Sequence, residues 1–168
     1  MLLSLSILFL SIIGSGLWLS AIIGFGLLTA PLLHRELSSE DAGRLVGRIL
    51  ERAHLLGWYG GIILLLSIIL HSLYISEGPA APPFLLWSIP VILATSIWWV
   101  SWKKILPQTE ALRIAMIAAK SSESDEEALE EGQVLFAKMH SMSVGMWKVC
   151  ILLLLISLFG LAWTYTSI

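Results

Sequence analysis

GLLTAPLLHRELSSEDAGRLVGRILERAH, residues Gly26 to His54, decides how this chain folds. An uncharged run of more than twenty residues ends within it, at Pro31. A short charged elbow follows, then a helical pattern that leads into a second apolar run. Proline cannot donate into a helix and biases the residue before it away from helical geometry, so a first helix over 3–30 is expected to stop there. Ser38 and Ser39 are good N-caps, and Ser38 with Asp41 has capping-box spacing. From that point a helix is expected to run to about Tyr74. On a wheel of 100° per residue, Glu40, Asp41, Arg44, Arg48, Glu51 and Arg52 make one stripe. Ala42, Leu45, Val46, Ile49 and Ala53 make the opposite one. Gly43, Gly47 and His54 follow the boundary, where small residues admit a neighbouring helix.

Composition places this stretch in a membrane protein. The chain has 168 residues, 57% hydrophobic and 13% charged. Soluble domains carry about a quarter charged residues. Here the deficit is gathered into long apolar runs. A net charge of −2 gives no footprint for nucleic acid. Asparagine is absent, and the single cysteine, Cys150, can form no internal disulfide. The N-terminal run has no positive leader and is long enough to span, so it reads as a retained first crossing.

Working outward, four apolar spans are expected at 3–30, 55–74, 84–102 and 144–164. Charged connections cover 34–54 and 103–140, and a Pro- and Gly-rich turn covers 75–83. Pro90 is expected to kink the third span. Trp98, Trp99 and Trp102 beside Lys103 and Lys104 have the form of an aromatic belt with basic anchors. All ten Lys and Arg lie in 35–52 or 103–148. The positive-inside rule then puts both connections in the cytoplasm and both termini outside the plasma (inner) membrane. The fold class is all-α: an antiparallel up-down bundle of four transmembrane helices with helical cytoplasmic extensions, forming a single domain. Each half is helix, basic connection, helix, a weak internal two-fold likeness. Gly16, Ser20 and Gly24 recur every four residues, as do Gly57 and Gly61. Both patterns, with Gly43 and Gly47, are expected at helix–helix contacts.

Three constellations carry chemistry. Met139, Met142, Met146 and Cys150 fall within about 80° of one helix face. Thioethers and thiols are ligands for soft ions such as Cu(I), although the same residues also fill irregular helix interfaces. His54 and His140 sit at the same end of their helices, where two imidazoles from facing helices can hold a haem. Interfacial histidines bound to carboxylates or headgroups are the plainer reading. Arg35, Arg48, Glu51, Arg52, His54, His140 and Ser143 are expected to converge in a polar crevice where the first, second and fourth spans meet the cytoplasm. Snorkelling and surface pairing compete with that convergence. Motifs for nucleotide binding, zinc peptidase chemistry or a nucleophile with its base are absent, so no enzymatic activity is expected.

Phe25, the TAP at 29–31, Arg35, Leu37 and AGRLVGRIL at 42–50 resemble the first half of the transmembrane-protein-205-like family. Leu106-Pro107-Gln108-Thr109-Glu110-Ala111 resembles its proline motif after the third helix. Phe136, His140 and Ser143 resemble its F-x-x-x-H-x-x-S motif at the start of the fourth. The chain departs from the pattern at Glu51 and Ala53, in place of a proline- and tyrosine-containing segment. It departs again at Ser101 and Trp147, where the pattern has asparagines. The resemblance implies a four-helix membrane protein. Vertebrate members are linked to handling of platinum drugs, and no accepted biochemical activity comes with the family. The residues and the resemblance together lead to three expectations. The first is binding or transport of a small solute or soft metal ion, by a homo-oligomer. The second is an accessory subunit packed among other membrane subunits. The third is a haem-binding electron-transfer protein.

Overall fold

The structure, a computed structural model, describes residues 2–74, 82–121 and 126–166. The described residues are helical almost throughout and contain no strand. Helix α1 (Leu2–Ser20) passes through a π-helical segment (Ala21–Thr29) into α2 (Ala30–Glu36). Helix α3 is Ser39–Tyr74. Helix α4 (Pro82–Val100) passes through a second π segment (Ser101–Ile105) into α5 (Leu106–Ser121), and α6 is Glu126–Thr166. Four of these continuous rods are long and apolar enough to cross a membrane. Most of the 75–83 turn lies outside the described residues.

The burial pattern is that of a bundle surrounded by lipid. Large apolar side chains face outward: Phe9, Leu27, Leu73, Leu152 and Phe159 are each more than half exposed. Small hydroxyl residues face inward, among them Ser11, Ser67, Thr95, Ser157 and Thr164. Hydrocarbon solvates leucine as well as a protein core does, so packing is won by close approach and satisfied polar groups. The hydroxyls are satisfied locally: Ser11, Ser67, Thr95 and Thr164 each donate to the carbonyl four residues back.

Successive rods run antiparallel. Thr95 lies at Gly61 and Trp98 at Gly57, so α4 descends along α3. Trp87 lies at Gly160, and Cys150 reaches the carbonyl of Ala94, so α6 descends along α4. The broadest contacts are α1 with α3 and α4 with α6, and α3–α4 and α1–α6 contacts close the ring. Glycine makes the tightest crossings. A Cβ on Gly60 would stand 2.6 Å from the carbonyl oxygen of Gly14. One on Gly160 would stand 2.8 Å from the backbone of Leu86 and Trp87. At the second crossing Ser157 donates to the carbonyl of Trp87 at 3.0 Å.

The first rod does not stop at Pro31. Its helix continues to Glu36, and the chain first becomes extended at Leu37, with φ −117° and ψ 161°. The π segment explains the difference. Proline removes one N–H and crowds the carbonyl four residues earlier. Wider winding moves the bonds to the carbonyl five residues back: Ala30 N–H donates to Phe25, and Thr29 Oγ1 donates to Gly24 at 2.7 Å. The same solution precedes Pro107, where Leu106 N–H donates to Ser101. Pro90, by contrast, is absorbed inside α4 without a π segment. After Leu37 the cap at Ser38 forms as its spacing predicts. Asp41 N–H donates to Ser38 Oγ at 3.2 Å, and Arg44 pairs with Asp41 at 2.9 Å.

Candidate functional site

At the end of the bundle that carries the charged connections, two features lie one above the other. The deeper is a cage around His54, which is 1% exposed. Its imidazole lies 4.9 Å from the Trp98 ring and 5.5 Å from the Trp147 ring. Nδ1 lies 2.9 Å from the carbonyl of Leu50, and Nε2 lies 3.2 Å from Ser101 Oγ. A carbonyl can only accept, so Nδ1 carries the proton that bonds Leu50, and Nε2 can take one from Ser101. The backbone of His54 is held as well. Trp98 Nε1–H donates to its carbonyl at 2.8 Å. That contact depends on Gly57, where any Cβ would fall on the Trp98 ring. Trp147 enters from α6 because Gly26 leaves room, a Cβ there lying 3.3 Å from the indole.

The shallower feature is an open cleft of about 590 Å³ between the first turns of α3 and α5. Arg44, Gly47, Arg48 and Glu51 form one wall; Trp102, Lys103, Leu106, Pro107, Glu110 and Arg113 form the other. The glycine edge of α3 is what lets α5 come close. A Cβ on Gly47 would lie 3.3 Å from Glu110 Oε2, and one on Gly43 would lie 3.9 Å from Arg113 Cδ. Four basic and two acidic side chains line the cleft. Arg113 donates to Glu110 through Nε at 2.8 Å. Glu110 lies beyond the apolar span, and this bond holds its carboxyl below the usual range. Arg44 is held by Asp41. Arg48 and Lys103 form no ion pair among the described residues. Lys103 instead rests its ammonium 3.8 Å above the Trp102 ring.

The structure divides the residues expected to converge. Arg48 and Glu51 line the cleft. His54 lies beneath it in the cage. Arg35 pairs with its neighbour Glu36 at the surface, and Arg52 is exposed. His140 is exposed and stacks on Phe136, and Ser143 is half-buried on α6. The α6 residue that meets His54 is Trp147, two helical turns beyond His140. Both ring nitrogens of His54 already have protein partners, leaving neither turned toward a haem iron.

The soft-ligand stripe is also divided. Met142 is 43% exposed, Met139 and Met146 are half-buried, and Cys150 is fully buried with its thiol 3.7 Å from the carbonyl of Ala94. Among the described residues no three His, Cys, Asp or Glu side chains gather as metal ligands. Of the packing glycines, Gly43, Gly47, Gly57 and Gly61 make inter-helix contacts. Gly16 and Gly24 do not: nothing lies within 4 Å of a Cβ built on either, and Ser20 between them is exposed. The α1 crossing uses the neighbouring face, with Gly14, instead.

Sequence reasoning missed the α5 wall. Lys103, Leu106, Glu110 and Arg113 recur at three- and four-residue spacing, one helical face, and this face was the available signal. The wheel of α3 alone could not say which helix its glycine edge would meet. Neither family models, nor curated proteins, nor solved structures yield a match to this chain.

Proposed function

We propose that this chain is a multi-pass protein of the plasma (inner) membrane that binds a small negatively charged solute in the α3–α5 cleft. The observation that carries the reading is the cleft itself. Its two polar walls come from separate helices, and Arg48 and Lys103 face it without a carboxylate partner among the described residues. Binding is preferred to movement through one copy because Trp18, Leu64, Val91 and Leu154 fill the interior beneath the cage. A soft ion is disfavoured because the stripe is split along α6, with Met142 exposed and Cys150 fully buried two turns further on. In this reading the cleft opens to the cytoplasm and both termini lie outside, as the distribution of Lys and Arg implies. The reading keeps the kinship with the transmembrane-protein-205-like family as a proposal resting on the four motifs. The test is thermal stabilisation of detergent-purified protein by a panel of small anions, soluble and amphiphilic, compared with Arg48→Gln. At least one member is expected to stabilise the wild type and not the variant. A panel that treats the two proteins alike overturns the reading.

A second reading, assembly with further copies or other membrane subunits, is favoured by the outward face of α1 and the π segment after it. Gly16, Ser20 and Gly24 there offer a small-residue stripe to a helix outside the protomer. Native mass spectrometry from mild detergent separates the cases. A single-copy mass would remove this second reading.

A further inference from the structure

The lining of the cleft is not uniform along its length. Its outer end carries Arg44 and Arg113, each already engaged by a carboxylate. Its inner end carries Lys103 on Trp102, and Trp102 belongs to a cluster of three indoles. The Trp58 and Trp99 rings lie 4.8 Å apart, and Trp102 lies 6.0 Å from Trp99 and 6.3 Å from Trp58. Trp99 is 43% exposed on the outside of the bundle. The polar cleft therefore runs without a break into an apolar aromatic surface that faces lipid. Interfacial tryptophans beside lysine mark the level of the headgroups. A soluble solute has no use for that surface, whereas an amphiphile matches both parts of it.

The charges narrow the class. Four bases and two acids leave the cleft two positive charges in excess. Among the described residues, the groups of the cleft not engaged by an opposite charge are Arg48 and Lys103, which suit a phosphodiester, and Glu51, which accepts hydrogen bonds. Arg48 can grip phosphate oxygens through its planar fork, while Lys103 acts as a point charge. Glu51 can accept from hydroxyls of a polyol headgroup. Basic pockets between membrane helices hold anionic headgroups in this way.

We propose that the cleft is a site for an anionic glycerophospholipid with a hydroxylated headgroup, its phosphate between Arg48 and Lys103 and its acyl chains against Trp99 and Trp102. This inference rests on the reading of the cleft as a solute site and names the solute. Its test uses the full chain in mixed micelles, with native mass spectrometry to count retained lipid. Phosphatidylglycerol is expected to be retained in preference to phosphatidylcholine. Arg48→Gln with Lys103→Gln is expected to weaken retention roughly twenty-five-fold, about fivefold for each charge. Lys120→Gln with Lys138→Gln removes the same charge from exposed positions outside the cleft and is expected to leave retention unchanged. Near-UV circular dichroism confirms that both double variants keep the tryptophan packing.

Equal retention of the two lipids overturns the proposal, because the site would then not select anionic headgroups. Equal loss in the two double variants also overturns it, because general surface charge would then be the cause. Soluble glycerol phosphate is the discriminating probe. If it binds as tightly as the lipid and depends on Arg48 and Lys103, the lipid assignment fails while the cleft remains a solute site. If neither probe depends on those residues, both readings fail together.

Discussion

At the scale of single residues, His54 is the best-anchored polar group of the charged end. Its ring holds Leu50 and Ser101, and its carbonyl holds Trp98. His54→Ala removes two ring hydrogen bonds and leaves a hole between two indoles, so it is expected to destabilise the fold by about 3 kcal/mol. Ser101→Ala, which removes one partner, is expected to cost about 1 kcal/mol. Denaturant titration in micelles, followed by tryptophan emission, measures both. Gly57→Ala drives a methyl into Trp98 and is expected to cost about 2 kcal/mol despite being the milder chemical change. The Glu110–Arg113 pair adds a dependence on pH. Because the folded carboxyl is lowered, its contribution is present above the ordinary carboxylate pKa and is lost as pH falls through the folded value. Stability curves of wild type and Glu110→Gln are therefore expected to converge on acidification through that window. A gap that widens on acidification would contradict the sign. Little of this was legible in the sequence. His54 could be placed at the right end of its helix, but its neighbours Ser101 and Trp147 are 47 and 93 positions away.

At the scale of elements, proline chemistry was readable and its outcome was not. Both Pro31 and Pro107 follow a π segment, and both rods continue past the proline instead of breaking. A π segment holds one residue more than the α-helix it replaces. Deleting Lys104 from the second segment is therefore expected to be tolerated, with α winding restored and α5 still in phase. Deleting Ile92 from α4 would rotate everything after it by about 100° and remove Trp98 from the carbonyl of His54. Near-UV circular dichroism should retain its tryptophan signal in the first deletion and lose it in the second. The reverse result would mean that the wide turns are required for packing. Helix starts were better signalled than helix ends. Ser38 has one local role, to cap, and it performs it. The packing stripe on α1 was misplaced by two residues, from Gly14 to Gly16. Small residues occur on both faces, and only the position of α3 decides between them.

At the scale of the whole molecule, the long apolar runs were enough to count the rods and assign the all-helical class. Apolar length and small-residue content are properties of the chain alone, whereas the pairing of α3 with α5 depends on all four rods at once. Sidedness can be tested directly. In a Cys150→Ala background, Arg35→Cys and Tyr74→Cys mark opposite ends of the bundle. The first is expected to react with a membrane-impermeant maleimide only after lysis of the cell, and the second before it. Cys150 itself is expected to remain unmodified in the folded protein, because it is fully buried. One further consequence follows from what fills the rods' shared interior. From His54 to His71 is roughly 25 Å of helix. Along that length the core is mainly indole and aliphatic, with Trp18, Trp87, Trp98, Leu64 and Leu154 fully or nearly fully buried, and the buried Ser67 and Thr95 hydroxyls donate to backbone carbonyls of their own helices. An ion crossing there would have to shed its hydration against groups that return almost none of it. A single copy is thus expected to act as an electrical insulator with a polar cap. Vesicles that contain it are expected to hold a potassium diffusion potential as long as empty ones, and a solute bound as proposed above would then stay on the side from which it came.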